Sequence, residues 1–206
     1  VGFVQERFIV SLLIDHSSSQ QVADIVRCAA DNGYPVQARS GGHSYGNYGG
    51  IPKLYYIILP TEGFELDTNM LYVTGLGGTD GAVAIDLKHL KHFSMDNTTW
   101  QATIGAGSLL SDVTQRLSHA GGRAMSHGIC PQVGSGGHFT IGGLGPTSRQ
   151  FGTSIDHVVD VEVVLANSSI VRASDTENQD LFWAIKGAAS GYGIVTEFKV
   201  RTEPEP

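Results

Sequence analysis

Cys130 and His127 stand at the head of a stretch, HGICPQVGSGGHFTIGGLG over residues 127–145, that is dense in glycine and contains no Asp, Glu, Lys or Arg. A thiol and an imidazole are the reactive groups of such a run. Glycine lets backbone come close to a ligand and reach positive φ. Bare N–H groups with no cation among them suit a phosphate held by backbone alone. Together these features point to a phosphorylated, redox-active cofactor. A second stretch, RSGGHSY over residues 39–45, follows a short strand pattern at Pro35–Ala38. A glycine turn after a strand is a common seat for a pyrophosphate. The turn is not GxGxxG, so the nicotinamide-type fingerprint is absent. The spacing of His127, Cys130 and His138 lacks a fourth ligand and fits no common zinc pattern, so no metal is expected. His138 reads instead as a structural residue of the loop.

The elements that must carry these loops follow from hydrophobic spacing. The chain has 206 residues, enough for one large domain or two small ones sharing a core. Its net charge of −7, with no basic run, argues against nucleic acid or an anionic membrane as partner. Phe8–Ile14 is too short to span a bilayer and reads as a buried strand; no start methionine, signal peptide or membrane span is visible. The two cysteines make no disulfide framework, and Cys28 reads as a small buried residue on a helix. That helix is predicted over 17–33, capped within Ser17–Ser19, ended by Gly33, and apolar along Val22, Ile25, Val26, Ala29 and Ala30. Val83–Leu87 and Trp100–Gly105 read as strands. Leu109–Ala120 reads as a helix capped near Ser108, with Leu109, Leu110, Val113 and Leu117 facing inward. Val158–Leu165 and Ser169–Ala173, around Ala166–Ser168, read as an antiparallel hairpin. Asp160 and Glu162 alternate with valines there and are expected on a solvated face. Asn178–Lys186 reads as a short helix whose Leu181, Phe182, Trp183 and Ile185 enter the core, and Gly193–Arg201 as a last strand. His89, His92, His119 and His157 belong to no motif and read as surface or packing residues.

ARSGGHSYGNYGG followed by HGICPQVGSGGH resembles the flavin-dependent oxidases of the berberine bridge enzyme and glucooligosaccharide oxidase type, within the vanillyl-alcohol oxidase family. The resemblance continues in GAVAIDLKHL, SRQFGTSIDHVVDVEVVLANSSIVRAS and NQDLFWAIKGAASGYGIVTEF. It implies an α+β, two-lobed, PCMH-type FAD-binding domain over residues 1–206. A small first lobe (1–93) would carry parallel strands and helices, and a second lobe (94–206) an antiparallel sheet flanked by helices. It also implies FAD joined through its 8α-methyl to His43 and through C6 to Cys130. Arg39, Ser40, Gly41, Gly42 and Ser44 would surround the pyrophosphate. Gly134, Gly136, Gly137, Gly142 and Gly143 would face them from the second lobe, with His127, Gly128 and Val133 in the same site. Ile194 and Val195 would lie near the adenine end. The implied activity is hydride transfer from a small-molecule substrate, an alcohol or carbohydrate, to the flavin. Molecular oxygen would reoxidise it to give hydrogen peroxide. A truncated, non-catalytic flavin-binding fragment and a same-fold dehydrogenase with another acceptor are the alternatives. The family suggests secretion.

Three departures accompany the resemblance. The family usually has three glycines where this chain has Ile141-Gly142-Gly143, so Ile141 is expected to crowd the cofactor or reshape the turn. Residues 51–79 form an atypical apolar insertion, read either as a hairpin of LYYIIL and MLYVTGL or as translated non-coding sequence. The family's substrate domain, which usually supplies the general base, is not among these residues, and no carboxylate or tyrosine here can be assigned that task.

Overall fold

The computed structural model describes residues 18–44 and 83–206. The strand expected at Phe8–Ile14 and the segment 51–79 lie outside the described residues. Helix α1 spans Ser19–Asp31. Ser18 caps it, its hydroxyl accepting the Gln21 N–H and so satisfying one donor that a helix start leaves open. Gly33 follows its end at φ +71°, in the left-handed region that a Cβ disfavours. The buried face is Val22, Ala23, Val26 and Ala29. It is rotated from the expected stripe, because Ala23 turns inward while Ala30 is exposed. Cys28 is a correction: it is exposed, roughly a third of a turn from the Val22–Val26–Ala29 line.

After α1, strand β1 (Val36–Arg39) pairs in parallel with β2 (Val83–Asp86), with Val36 opposite Val83 and Arg39 opposite Asp86. A five-stranded antiparallel sheet follows. It is built from β3 (Phe93–Asp96), β4 (Gln101–Gly105), β6 (Val158–Val164), β7 (Ile170–Ser174) and β8 (Ile194–Arg201), in the order β3-β4-β8-β6-β7. A short pair, β5 (Arg123–Ala124) with β9 (Glu203–Pro204), sits apart. The helices are α2 (Leu110–His119), α3 (Ser135–Ile141), α4 (Ser148–Phe151), α5 (Ser154–His157) and α6 (Gln179–Ala188). The fold is therefore α+β, with a parallel pair and an antiparallel sheet flanked by helices, as expected. The hairpin of β6 and β7 forms in the expected place. Strand β3 was not anticipated, since FSMD carries no run of branched apolar residues to mark it.

One core joins these parts. Phe198 of β8 and Phe139 of α3 are fully buried and meet edge to face at 5.3 Å. Leu110, Val113 and Leu117 of α2, Val161 and Val163 of β6, Ile85 of β2 and Val22 of α1 belong to the same cluster. Each such side chain contributes about 1.5–3 kcal/mol on burial. Phe139 thus ties the glycine-rich region to the sheet.

Two expectations about side chains are corrected. Trp183 is not in the core but 80% exposed, because Phe182 and Ile185 occupy the inward face of α6. Asp160 and Glu162 are half-buried and engaged. Arg172 of β7 pairs with Asp160 and donates to Glu197 at 2.6 Å, and Glu162 accepts from Ser19 and Thr196. His92 completes the network at 2.8 Å from Glu197. The His92 hydrogen bond, then Arg172, hold the Glu197 carboxyl down at about 2.

Candidate functional site

The two motif loops meet backbone to backbone. A Cβ built on Gly41 would lie 2.3 Å from Gly134 N, and one on Gly134 would lie 2.1 Å from Gly41 N. Neither position tolerates a side chain, and glycine at both lets the chains approach. Ser40 joins the same contact. Its hydroxyl donates to Ala106 C=O at 2.6 Å and accepts the Gly136 N–H at 3.2 Å. Ala106 lies in the turn after β4 and takes its own N–H bond to Thr196 C=O, at the head of β8. Ile194 and Val195 precede that residue on β8, with Val195 in the core. The structure therefore gathers Ser40, Gly41, Gly134 and Gly136 and sets Ile194 and Val195 behind them on the central strand.

Arg39 turns its guanidinium back over the first loop. Its Nη1 lies 3.7 Å from Asp86, and its buried Nε has no hydrogen-bond partner among the described residues. A Cβ on Gly42, which sits at φ +77°, would lie 2.8 Å from that Nε. His43 and Ser44 follow, half-buried.

The second loop is built on α2. Leu110 N–H donates to Val133 C=O at 2.9 Å, and Ser111 N–H to Pro131 C=O at 3.0 Å. Asp112 accepts the Leu109 N–H at 3.1 Å, which closes the start of α2 under the loop. Cys130 lies half-buried at the turn that this docking holds, its carbonyl accepting the Val133 N–H at 3.3 Å. The loop's ends touch, since a Cβ on Gly145 would lie 1.8 Å from His127 C=O.

The loop histidines are committed to this scaffold. His127 donates from Nδ1 to Gly128 C=O at 2.8 Å, and its Nε2 lies 2.9 Å from Thr114 Oγ1 on α2. Its ring lines an open cleft of about 450 Å³ with Leu110, Met125, Ile129 and Pro131. His138 accepts the Gly128 N–H at Nε2, 2.9 Å away, as a structural loop residue would. Burial, then neighbouring His127, push its pKa down. Gly137 on α3 is exposed, and a Cβ there, as at Gly142, would meet nothing within 4 Å. Ile141 is directed away from the chain at the turn. Its side chain is 74% exposed, and the chain reverses at Gly142 and Gly143, at φ +133° and +81°.

Some positioning residues were not foreseen. Ser154 donates to Ser126 C=O at 2.7 Å and also approaches Gly143 C=O at 3.2 Å. His157, fully buried, accepts the Ser126 N–H at Nε2 and donates from Nδ1 to Arg201 C=O. A carbonyl only accepts, so this fixes the neutral tautomer. Burial, the largest influence, pushes its pKa below the ordinary value. Ala106 and Gly107 were signalled by the glycines at 105 and 107, where a Cβ on Gly107 would lie 1.8 Å from Leu87 C=O. Among the described residues, no cluster of three or more His, Cys, Asp or Glu could hold a metal, and no helix is long and apolar enough to cross a membrane.

Comparison with known proteins adds the family. A family model described as an FAD binding domain matches residues 67–174. The FAD-linked oxidoreductase sorD of Penicillium rubens is 45% identical over 196 residues, which cover 95% of this chain and 36% of that protein. BBE-like 1 of Physcomitrella patens superposes with a TM-score of 0.77 at 32% identity, over 96% of this chain and 39% of that one. The glucooligosaccharide oxidase of Acremonium strictum, described as carrying a 6-S-cysteinyl, 8α-N1-histidyl FAD, superposes with a TM-score of 0.76 at 36% identity, over 92% and 34%. The chain spans about a third of the length of the relatives it matches. This chain belongs to the FAD binding domain family, its relatives include carbohydrate oxidases and berberine bridge enzyme-like proteins, and its cofactor is FAD.

Proposed function

We propose that this chain is the flavin module of an oxidase, a two-lobed domain dividing near Phe93, that holds FAD at two points, His43 and Cys130. The observation that carries this reading is the seating of the RSGGH loop on the HGICPQVG loop through Gly41 and Gly134. It puts an imidazole and a thiol on two loops that share one joint. The residues fit a flavin dinucleotide. Among the described residues the buried Arg39 Nε has no partner, which suits it to an anionic diphosphate, and Gly137 has an open approach to backbone. Gly42, Ser44, Gly142 and Gly143 would add backbone donors around the same group.

When bound, FAD would supply a two-electron acceptor, and the chemistry this would support is oxidation of an alcohol carbon of a carbohydrate or similar small molecule, with loss of a hydride and a proton and with dioxygen as the final acceptor, reduced to hydrogen peroxide. The chain's part is to hold that acceptor rigidly. Docking on α2 fixes Cys130, and the joint at Gly41 fixes the loop of His43. The glucooligosaccharide oxidase with its cysteinyl and histidyl FAD supports the two attachment points, and the oxidase names support carbohydrate as the substrate class.

The test is acid precipitation followed by flavin absorbance in the pellet. Colour is expected in the parent chain, reduced in neither single variant to zero, and lost from the pellet in the double variant His43→Ala, Cys130→Ala. Flavin released from the parent into the supernatant would refute covalent attachment, and folded protein with no flavin would refute the whole reading. Peroxide release with oligosaccharides, against reduction of an artificial acceptor without oxygen, separates an oxidase from a dehydrogenase.

A further inference from the structure

We propose that the Ser40 hydroxyl is a latch that sets the His43 loop in register with the Cys130 loop, making Ser40 a positioning residue for two-point flavin attachment. The inference rests on the reading of His43 and Cys130 above and deepens it. By resemblance, Ser40 belongs to the pyrophosphate loop. Its side chain is otherwise employed. The hydroxyl has one proton, and that proton is directed at Ala106 C=O at 2.6 Å. Its oxygen receives the Gly136 N–H at 3.2 Å, an N–H that is shared with Ala106 C=O at 3.2 Å, so the hydroxyl, the carbonyl and the amide close on one another.

Among the described residues this is the hydrogen bond that ties residues 39–44 to residues 127–145. The Gly41–Gly134 contact beside it is close but carries no directional bond. Packing alone permits the loops to slide, whereas a donor and an acceptor on one hydroxyl fix both distance and angle. Ala106 is held in turn by Thr196 of β8, so the latch is referenced to the central strand. His43 lies three residues beyond Ser40, and Cys130 six residues before Gly136. The separation of the two attachment points is therefore set across a short, hydrogen-bonded joint.

The experiment compares the parent chain with Ser40→Ala and Ser40→Thr. Denatured protein is digested, and peptides are sorted by mass and flavin fluorescence into those where one flavin bridges the His43 and Cys130 peptides and those with flavin on one peptide only. Ser40→Ala is expected to lower the bridged fraction at least fivefold, with singly attached flavin rising in its place, and Ser40→Thr, which keeps the hydroxyl, to restore at least half of it. An unchanged bridged fraction in Ser40→Ala overturns the latch while leaving the cofactor reading intact. A parent chain with no bridged peptide overturns the cofactor reading instead. Hydrogen exchange on the flavin-free chain then decides the latch by itself: amides at 134–137 should exchange at least tenfold faster in Ser40→Ala, and equal rates reject it.

Discussion

In the five-stranded sheet, side chains do the holding; in the two glycine loops, their absence does. The sheet buries Phe198, Val161 and Val163 on one side and knits Asp160, Arg172, Glu197 and His92 on the other. The loops place backbone on backbone at Gly41 and Gly134, and again at His127 and Gly145. The sheet therefore fails by truncation and the loops by addition. Phe139 belongs to both, standing on α3 inside the loop region and packing on Phe198.

The largest effect is expected where the two regions join. Phe198→Ala should cost about 3–5 kcal/mol in denaturant unfolding, the range for a large buried aromatic. Flavin retention should fall with it, because α3 loses its seat; retention at parental level would mean the loops stand independently of the sheet. Next is an added methyl group. Gly134→Ala should cost about 3 kcal/mol, since the neighbour is backbone and cannot step aside. Gly137→Ala is its control. With open space at the new Cβ, it should stabilise the helix by up to about 1 kcal/mol, and weaker FAD binding in that variant would mark Gly137 as facing the cofactor.

Acid should act in two pH ranges, one set by buried histidines and one by carboxylates. Glu197 titrates at about 2 in the folded chain against 4.5 ordinarily. Its contribution is whole above pH 4.5 and is lost as pH falls toward 2. His157 and His138 are both held below the ordinary 6.5. The folded state resists their protonation, so stability falls as pH drops below 6.5. Thermal unfolding across pH 3–8 should thus show a loss beginning near 6.5 and a second below 4.5. Glu197→Gln should shrink only the lower one, leaving the part that Asp96, Asp112 and Asp156 contribute through the hydrogen bonds that hold their carboxyls below the ordinary value.

Much of this was legible in residue order. The α1 cap, the β6–β7 hairpin, the inward face of α2 and the FAD family follow from spacing and motif. The misreadings have physical causes. Trp183 and Cys28 are apolar by type, but position round a helix decides burial. Asp160 and Glu162 alternate as solvated residues do, yet their partners Arg172, Ser19 and Thr196 come from other elements. The hydrogen bonds of Ser40, Ala106 and His157 leave no mark in residue order, because they form between distant segments.

That distance has a consequence for biosynthesis. Ser19 at the head of α1 meets Glu162, 143 positions later in the chain. At roughly 5–20 residues per second, the partner strand is made on the order of ten seconds after the helix. During that interval Val22, Ala23 and Val26 have no sheet to cover them, and the His43 loop has no Gly134 to rest on. Nascent chains paused before β6 should be the species that chaperones capture, and flavin loading has to wait until the Gly134 loop has been made.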